Sequence, residues 1–301
     1  MSNYGLVDLG SNSVRLVIYD VKDSRDFKSL INDKVMAGLA AYVDADGVFT
    51  KAGINKAVSV LRSHARHAEY FKCKKMEVFA TAVLRNAANC KQAVAAIEEQ
   101  TGLSITLLSE RDEAHLGFVG TTCEHTIERG TLVDVGGGST ELTRICDGRD
   151  SDDISLPQGS LSSFAGRVRG VMPTRAEADA IAGDLRERLD ALPNRKAYDA
   201  KTLYGIGGSA RAAAKMYAQM TDAPARPKSL TPEQIRQMVD WCLRDPDAFA
   251  HTALKAAAER VHTVVPGSII LLTLLEELGA ERIEIGKRGV REGYLVERML
   301  K

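Results

Sequence analysis

The sequence predicts an α/β fold built twice from one hairpin-led unit, and three observations carry that prediction. Short β-type runs alternate with stretches of helical periodicity along the 301 residues, the pattern of layered α/β units. A strand, turn, strand arrangement at the N-terminus starts again near Gly130. Written without gaps, Asp8-Leu-Gly-Ser-Asn-Ser-Val-Arg-Leu16 lies over Asp134-Val-Gly-Gly-Gly-Ser-Thr-Glu-Leu142, with Asp, Gly, Ser and Leu at matching offsets.

Taken in order, Tyr4–Leu9 and Val14–Val21 read as strands joined by the turn formers Gly10-Ser-Asn-Ser13. An extended stretch over about Phe27–Leu39 follows. Ile54, Ala57, Val58, Leu61, Ala65 and Ala68 then repeat at helical spacing. Glu77–Ala80 and Leu103–Leu108 read as strands, Ala87–Glu99 and Arg111–Thr121 as helices. The second copy begins with strands Thr131–Val135 and Thr140–Cys146 around Gly136-Gly-Gly-Ser139. Helices follow over Gln158–Arg167 and Arg175–Leu192, then a strand over Lys201–Gly205 and a helix opened by Gly207-Gly208. Thr231-Pro-Glu-Gln caps a further helix. The C-terminal third is mostly helical, closing with a strand Arg282–Ile285 and a helix Val290–Leu300.

Composition narrows the function. Hydrophobic residues make up 45% and charged residues 27%, enough for two cores. Forty basic residues balance forty acidic ones, so no global field attracts nucleic acid or an anionic membrane, and a polyanion must be held by a local site. The five cysteines, Cys73, Cys90, Cys123, Cys146 and Cys242, lack a Cys-x-x-Cys pair and predict a reducing, cytoplasmic setting. No basic then apolar leader precedes the first strand, which predicts no secretory signal. The apolar run Ile269–Leu275 is far short of the roughly 20 residues that span a bilayer.

Asp8 and Asp134 each end a strand just before a glycine-containing turn, which suggests a phosphate held between two loops. In the second loop Gly136, Gly137 and Gly138 let backbone approach a phosphoryl oxygen, and Ser139 and Thr140 add hydroxyls. No Lys follows, so it is not a Walker loop. Glu141 opens the outgoing strand, where it and Asp134 can share a divalent cation; carboxylates about 5 Å apart repel by roughly 3 kcal/mol at an effective dielectric near 20, and magnesium reverses that sign. Gly205-Ile-Gly-Gly-Ser-Ala210 formally satisfies a dinucleotide fingerprint, but in place of a strand-end acid about 20 residues on the chain offers Asp222 in a Pro-containing loop. That segment, with Gly207, Gly208 and Ser209, reads as a further phosphate or helix-packing loop. His64 and His67 share a helix face without a third ligand in view and read as solvated, not as a metal site. With no nucleophile elbow and no cysteine in a reactive setting, water is the expected nucleophile.

Six segments in order resemble the signature blocks of the exopolyphosphatase and guanosine pentaphosphate phosphatase (Ppx/GppA) family. They are Asp8-Leu-Gly-Ser-Asn-Ser-Val-Arg15, Ala80-Thr-Ala-Val-Leu-Arg85, Ser109-Glu-Arg-Asp-Glu-Ala-His-Leu116, Val133-Asp-Val-Gly-Gly-Gly-Ser-Thr-Glu141, Gly205-Ile-Gly-Gly-Ser-Ala-Arg211 and Gly289-Val-Arg-Glu-Gly-Tyr-Leu295. The resemblance implies two actin-like, ribonuclease-H-like (ASKHA) domains, over 1–122 and 123–301, with an active-site cleft between them and the last helix, about 291–301, packing back on the first.

By motif position the resemblance makes Glu113 the catalytic glutamate that activates water. It gives Asp8, Asp134 and Glu141 to magnesium, and Arg85, Ser11, Asn12 and Gly136–Ser139 to phosphate, with Arg15 and Arg211 as further phosphate cations. In-line phosphoryl transfer needs these parts: positioned water, a cation and charge-assisted donors. The implied substrate is inorganic polyphosphate, with guanosine pentaphosphate as the alternative, and the implied assembly a homodimer. Two departures bear on substrate preference: His115 stands where the family usually has Arg, and Gly286-Lys287-Arg288 replaces a Ser-Asp type pair. Longer members carry a C-terminal helical region past the position of Lys301, so processivity on long chains is expected to suffer. An ATP-binding kinase-like protein of the same fold and a non-catalytic polyphosphate or alarmone sensor are the competing classes; intact Glu113, Asp134 and Glu141 favour an enzyme.

Overall fold

The computed structural model describes residues 2–23, 26–124 and 126–301. The chain divides into two compact units, Met1–Glu113 with Tyr294–Lys301, and Ala114–Gly293.

In the first unit β1 (Ser2–Leu9) and β2 (Val14–Val21) form a hairpin that β3 (Phe27–Val35) extends as an antiparallel edge. The extended stretch ends at Val35 and not Leu39, because Leu39–Tyr42 wind into a short 3-10 helix. After α1 (Lys51–Tyr70), β4 (Lys75–Ala80) pairs parallel to β1 on its other side. Then come α2 (Ala82–Arg85), α3 (Cys90–Thr101) and β5 (Ile105–Leu107), which pairs parallel to β4. The sheet order is therefore β3-β2-β1-β4-β5. Val7, Leu9, Leu16 and Ile18 from the sheet close with Ala57, Val58 and Leu61 of α1 into one core.

The second unit takes in most of α4 (Glu110–Thr122) and repeats the plan. β6 (Arg129–Val135), β7 (Thr140–Cys146) and β8 (Arg149–Leu156) form the antiparallel meander. α5 (Ser160–Arg167) and α6 (Arg175–Asp190) lead to β9 (Thr202–Ile206), parallel to β6. α7 (Gly207–Met220), β10 (Ser229–Leu230), α8 (Pro232–Arg244), α9 (Pro246–Ala257) and α10 (Val264–Glu277) precede β11 (Arg282–Ile285), parallel to β9. The order β8-β7-β6-β9-β11 matches the first sheet, with β10 added at the far edge. Both meanders carry a bulge at the same place: between Ile18 and Tyr19 in one and between Arg144 and Ile145 in the other. The pairs Asp8 and Asp134, Ile18 and Arg144 share one offset of 126 residues, so the duplication extends to a local defect of the sheet.

The chain leaves the first unit inside α4, between Glu113 and Ala114, and not after residue 122. The reason is packing. α11 (Val290–Tyr294), which runs on as a π-helical turn over Leu295–Met299, lies against α4 within the second unit. A Cβ on Gly120 would stand 2.0 Å from the Gly289 carbonyl oxygen, and one on Gly293 1.9 Å from that of Leu116. Gly120 and Gly293 thus let two helix backbones touch. Beyond Gly293 the chain belongs to the first unit, where the Tyr294 ring stacks on Phe79 at 5.1 Å and its hydroxyl donates to Glu77 at 2.7 Å. Burial pushes that phenol up to about 12. Among the described residues no single helix is long and apolar enough to cross a membrane; the apolar α10 is buried in the core of the second unit.

Candidate active site

The two hairpin loops are built alike. The Gly10 amide donates to the Ser13 carbonyl at 3.1 Å, and the Gly136 amide to that of Ser139 at 2.9 Å. Each loop is pinned by the segment after its third strand. The amides of Gly38 and Ala40 hold the Asn12 and Ser11 carbonyls, and the amides of Ser160, Leu161 and Ser162 at the start of α5 hold those of Gly136 and Gly137. The side chains differ. Asp8 stands opposite Arg15 in register, whereas Asp134 stands opposite Glu141.

In the first unit Glu113 sits in the first turn of α4. That turn is fixed by a reciprocal cap: the Ser109 hydroxyl donates to Asp112 at 2.6 Å and accepts from its amide at 3.0 Å. The Ser109 hydroxyl, ahead of the Arg298 ion pair, holds the Asp112 carboxyl below its usual range. Arg85 Nη1 donates to Glu113 Oε2 at 2.9 Å and to the Leu108 carbonyl at 3.0 Å. The residue that the resemblance gives to phosphate therefore grips the residue that it makes the base.

In the second unit Glu141 is buried, 6% exposed, and is no solvent-facing strand residue. Its Oε1 accepts from the Ser139 hydroxyl at 2.5 Å and from Ser155 at 3.1 Å, so Ser139 donates to the carboxylate beneath its own loop. Because Asp134 and Glu141 are direct cross-strand partners, both carboxylates leave the same face of the sheet. Asp134 is also confined by α7: Gly207 has φ +76°, and a Cβ there would lie 2.0 Å from Asp134 Oδ1. Both the positive φ and the close approach exclude a larger residue. Gly208 is glycine for another reason, since its Cβ would meet Arg260 Nη2 at 1.9 Å. Burial lowers the Arg260 pKa from its ordinary value, opposed by the carboxylates of Glu259 and Asp134. Arg260, in a short 3-10 helix (Ala258–Arg260) between α9 and α10, is a buried cation close to Asp134 that motif reading missed, for no sequence pattern surrounds it.

Gly138 contrasts with these. Its φ is not positive, and nothing in the protein lies within 4 Å of where its Cβ would be. Neither backbone nor packing requires a glycine there, which leaves room over the loop for a ligand atom.

Other expected residues serve the scaffold. The Ser209 hydroxyl donates to the Val135 carbonyl at 2.7 Å in the interior. Arg211 Nη1 donates to the carbonyls of Gly286 and Lys287 at 3.3 Å. His115 Nδ1 lies 2.6 Å from Asp150 Oδ2, and the amides of Lys287 and Arg288 donate to Glu124. His64 is fully buried, contrary to the solvated face that its spacing suggests.

Comparison with known proteins places the chain in a family. The model of the Ppx/GppA phosphatase family matches residues 17–301. Exopolyphosphatase 1 of Mycobacterium tuberculosis (strain ATCC 25618 / H37Rv) is 26% identical over 309 residues, spanning 98% of this chain and 88% of that protein. The Mycobacterium leprae protein of that name is 26% identical over 310 residues, spanning 98% and 89%. Among solved structures, an exopolyphosphatase from Cytophaga hutchinsonii shares the fold with a TM-score of 0.85 at 18% identity, covering 100% of this chain and 99% of its own. The Aquifex aeolicus Ppx/GppA phosphatase does so at 0.78 and 23%, with 100% of both chains covered. With its duplicated ribonuclease-H-like topology and its motif blocks in order, the chain belongs to the Ppx/GppA phosphatase family and, with it, to the phosphoanhydride hydrolases.

Proposed function

We propose that the protein releases terminal orthophosphate from inorganic polyphosphate by in-line attack of water, with magnesium as cofactor. The observation that carries this reading is the charge difference between two hairpins whose loops are built alike: aspartate facing arginine in one, aspartate facing glutamate in the other. The first suits an anion, the second a cation. Asp134 and Glu141 offer the oxygen-only donors of a hard-cation site, and magnesium bound there would neutralise charge on phosphoryl oxygens. Asp8, opposite Arg15, fits that role less well.

Glu113, oriented by Arg85, would take the proton of the attacking water. Arg15 and Arg260 would add charge-assisted donors, and the backbone of Gly136–Ser139 would receive phosphoryl oxygens over the open face at Gly138. Two curated relatives named as exopolyphosphatases support polyphosphate over a nucleotide substrate.

The test is phosphate release from polyphosphate of several lengths and from guanosine pentaphosphate, with magnesium and with chelator. Release from polyphosphate that stops on chelation is the expected result. Release only from the guanosine compound would overturn the substrate, and release surviving chelation would overturn the cofactor. Binding without turnover would make the protein a sensor, and phosphoryl transfer from ATP to an acceptor a kinase.

A further inference from the structure

We propose that Asp33, His64 and His67 form a metal site for a zinc-type divalent ion in the first unit, distinct from the phosphoryl-transfer residues. Asp33 is on the edge strand β3, and the two histidines are three residues apart on α1. One donor atom from each residue lies within 4.8 Å of the others. Asp33 Oδ2 stands 3.4 Å from His64 Nδ1 and 3.0 Å from His67 Nδ1. Four ligands about 2.1 Å from a tetrahedral zinc are about 3.4 Å from one another, so both contacts through Asp33 already have the spacing of a coordination shell.

An ion pair between His67 and Asp33 would by itself explain those two residues, but not His64. His64 is 0% exposed, and neither ring nitrogen makes a well-formed hydrogen bond, Nδ1 having only the long 3.4 Å contact to the Asp33 oxygen that His67 holds more closely. A buried imidazole so poorly satisfied is costly and needs a reason. Two nitrogens and one oxygen suit zinc and disfavour magnesium, which takes oxygen ligands. His67 and Asp33 are partly exposed, at 48% and 32% of their side chains, which gives the ion an entry path and leaves a fourth position for water.

The ion would fasten β3 to α1. β3 is the outer strand of its sheet, held by β2 alone and interrupted by the bulge at Ile18/Tyr19. Asp33 pairs with Leu16, on the strand that leaves the Gly10–Ser13 loop. Bound there, the ion would brace the strand pair behind the first loop.

The test is zinc titration of the chelator-treated full chain by calorimetry, with melting temperature read in parallel. One zinc should bind and raise the melting temperature, excess magnesium should not displace it, and the Asp134→Asn/Glu141→Gln double variant should retain it. His67→Gln, at a half-exposed position that folding tolerates, should weaken zinc by about tenfold or more and abolish the thermal gain; Asp33→Asn should do the same. Unchanged zinc affinity in His67→Gln, loss of zinc in the double variant alone, or no saturable binding to the parent chain would each overturn the site.

Discussion

Gly138→Ala separates the ligand from the fold. The new methyl meets nothing within 4 Å, and φ is outside the left-handed region. Folding should not suffer: a glycine replaced at a compatible position stabilises by about 0.4–1 kcal/mol through the unfolded chain. Activity should suffer. A phosphoryl oxygen bonded to a loop amide approaches nitrogen to about 2.8 Å, and a Cβ on the same backbone competes for that space. Losing one charge-assisted hydrogen bond costs about 1.5–3 kcal/mol, a fall in kcat/KM of about 10- to 150-fold. Gly166→Ala on α5 is the control, since its Cβ also meets nothing within 4 Å and lies away from the loop. Initial rates of phosphate release and thermal melts on both variants decide the matter. Wild-type kcat/KM in Gly138→Ala would refute phosphate binding over this loop, and a melting temperature lowered by several degrees would show the glycine to be structural.

Glu113→Gln keeps the size of the side chain but removes the proposed base, so the single-turnover rate should fall by about 10²- to 10⁴-fold while polyphosphate binding, followed by calorimetry, persists. Asp134→Asn and Glu141→Gln should each raise the magnesium concentration for half-maximal phosphate release, which a metal titration of initial rate reads directly. Gly293→Ala sets a Cβ 1.9 Å from the Leu116 carbonyl oxygen and forces α11 off α4; denaturant unfolding should show a loss of about 1–3 kcal/mol.

The hairpin repeat was legible because turn chemistry is local: Gly10 and Gly136 make the same hydrogen bond to Ser13 and Ser139. What lay outside the repeat's nine residues was harder to see. β8 carries Asp150, Ser151, Asp152 and Asp153, and no alternation marks it, because an edge strand can leave both faces wet and use acids to discourage further pairing. α2 is four residues long, too short for a period. His64 was misplaced by one step of the helical stripe: Ala57, Leu61, His64 and Ala68 are buried, and Ala65 is only partly so. Arg260 reaches Gly208 from a turn 52 positions away in number, a contact made by packing and not by spacing.

The duplication also shows why only the first copy carries a glutamate at the position of the proposed base. Arg85 and Arg211 share the 126-residue offset, and each donates to a backbone carbonyl just past the fifth strand of its sheet, at Leu108 and at Gly286. The next helix starts alike in both copies: the Ser109 amide donates to Asp112, and the Gly289 amide to Glu292. One residue further stand Glu113 in the first copy and Gly293 in the second. Gly293 cannot be an acid, because the Leu116 carbonyl occupies the place of its Cβ. The same offset sets Arg15 against Glu141, a cation against an anion. Two copies of one backbone thus differ at these two positions, one set by helix contact and the other by charge; on the proposed reading the first copy supplies the base and an anion-binding arginine, and the second the carboxylate pair.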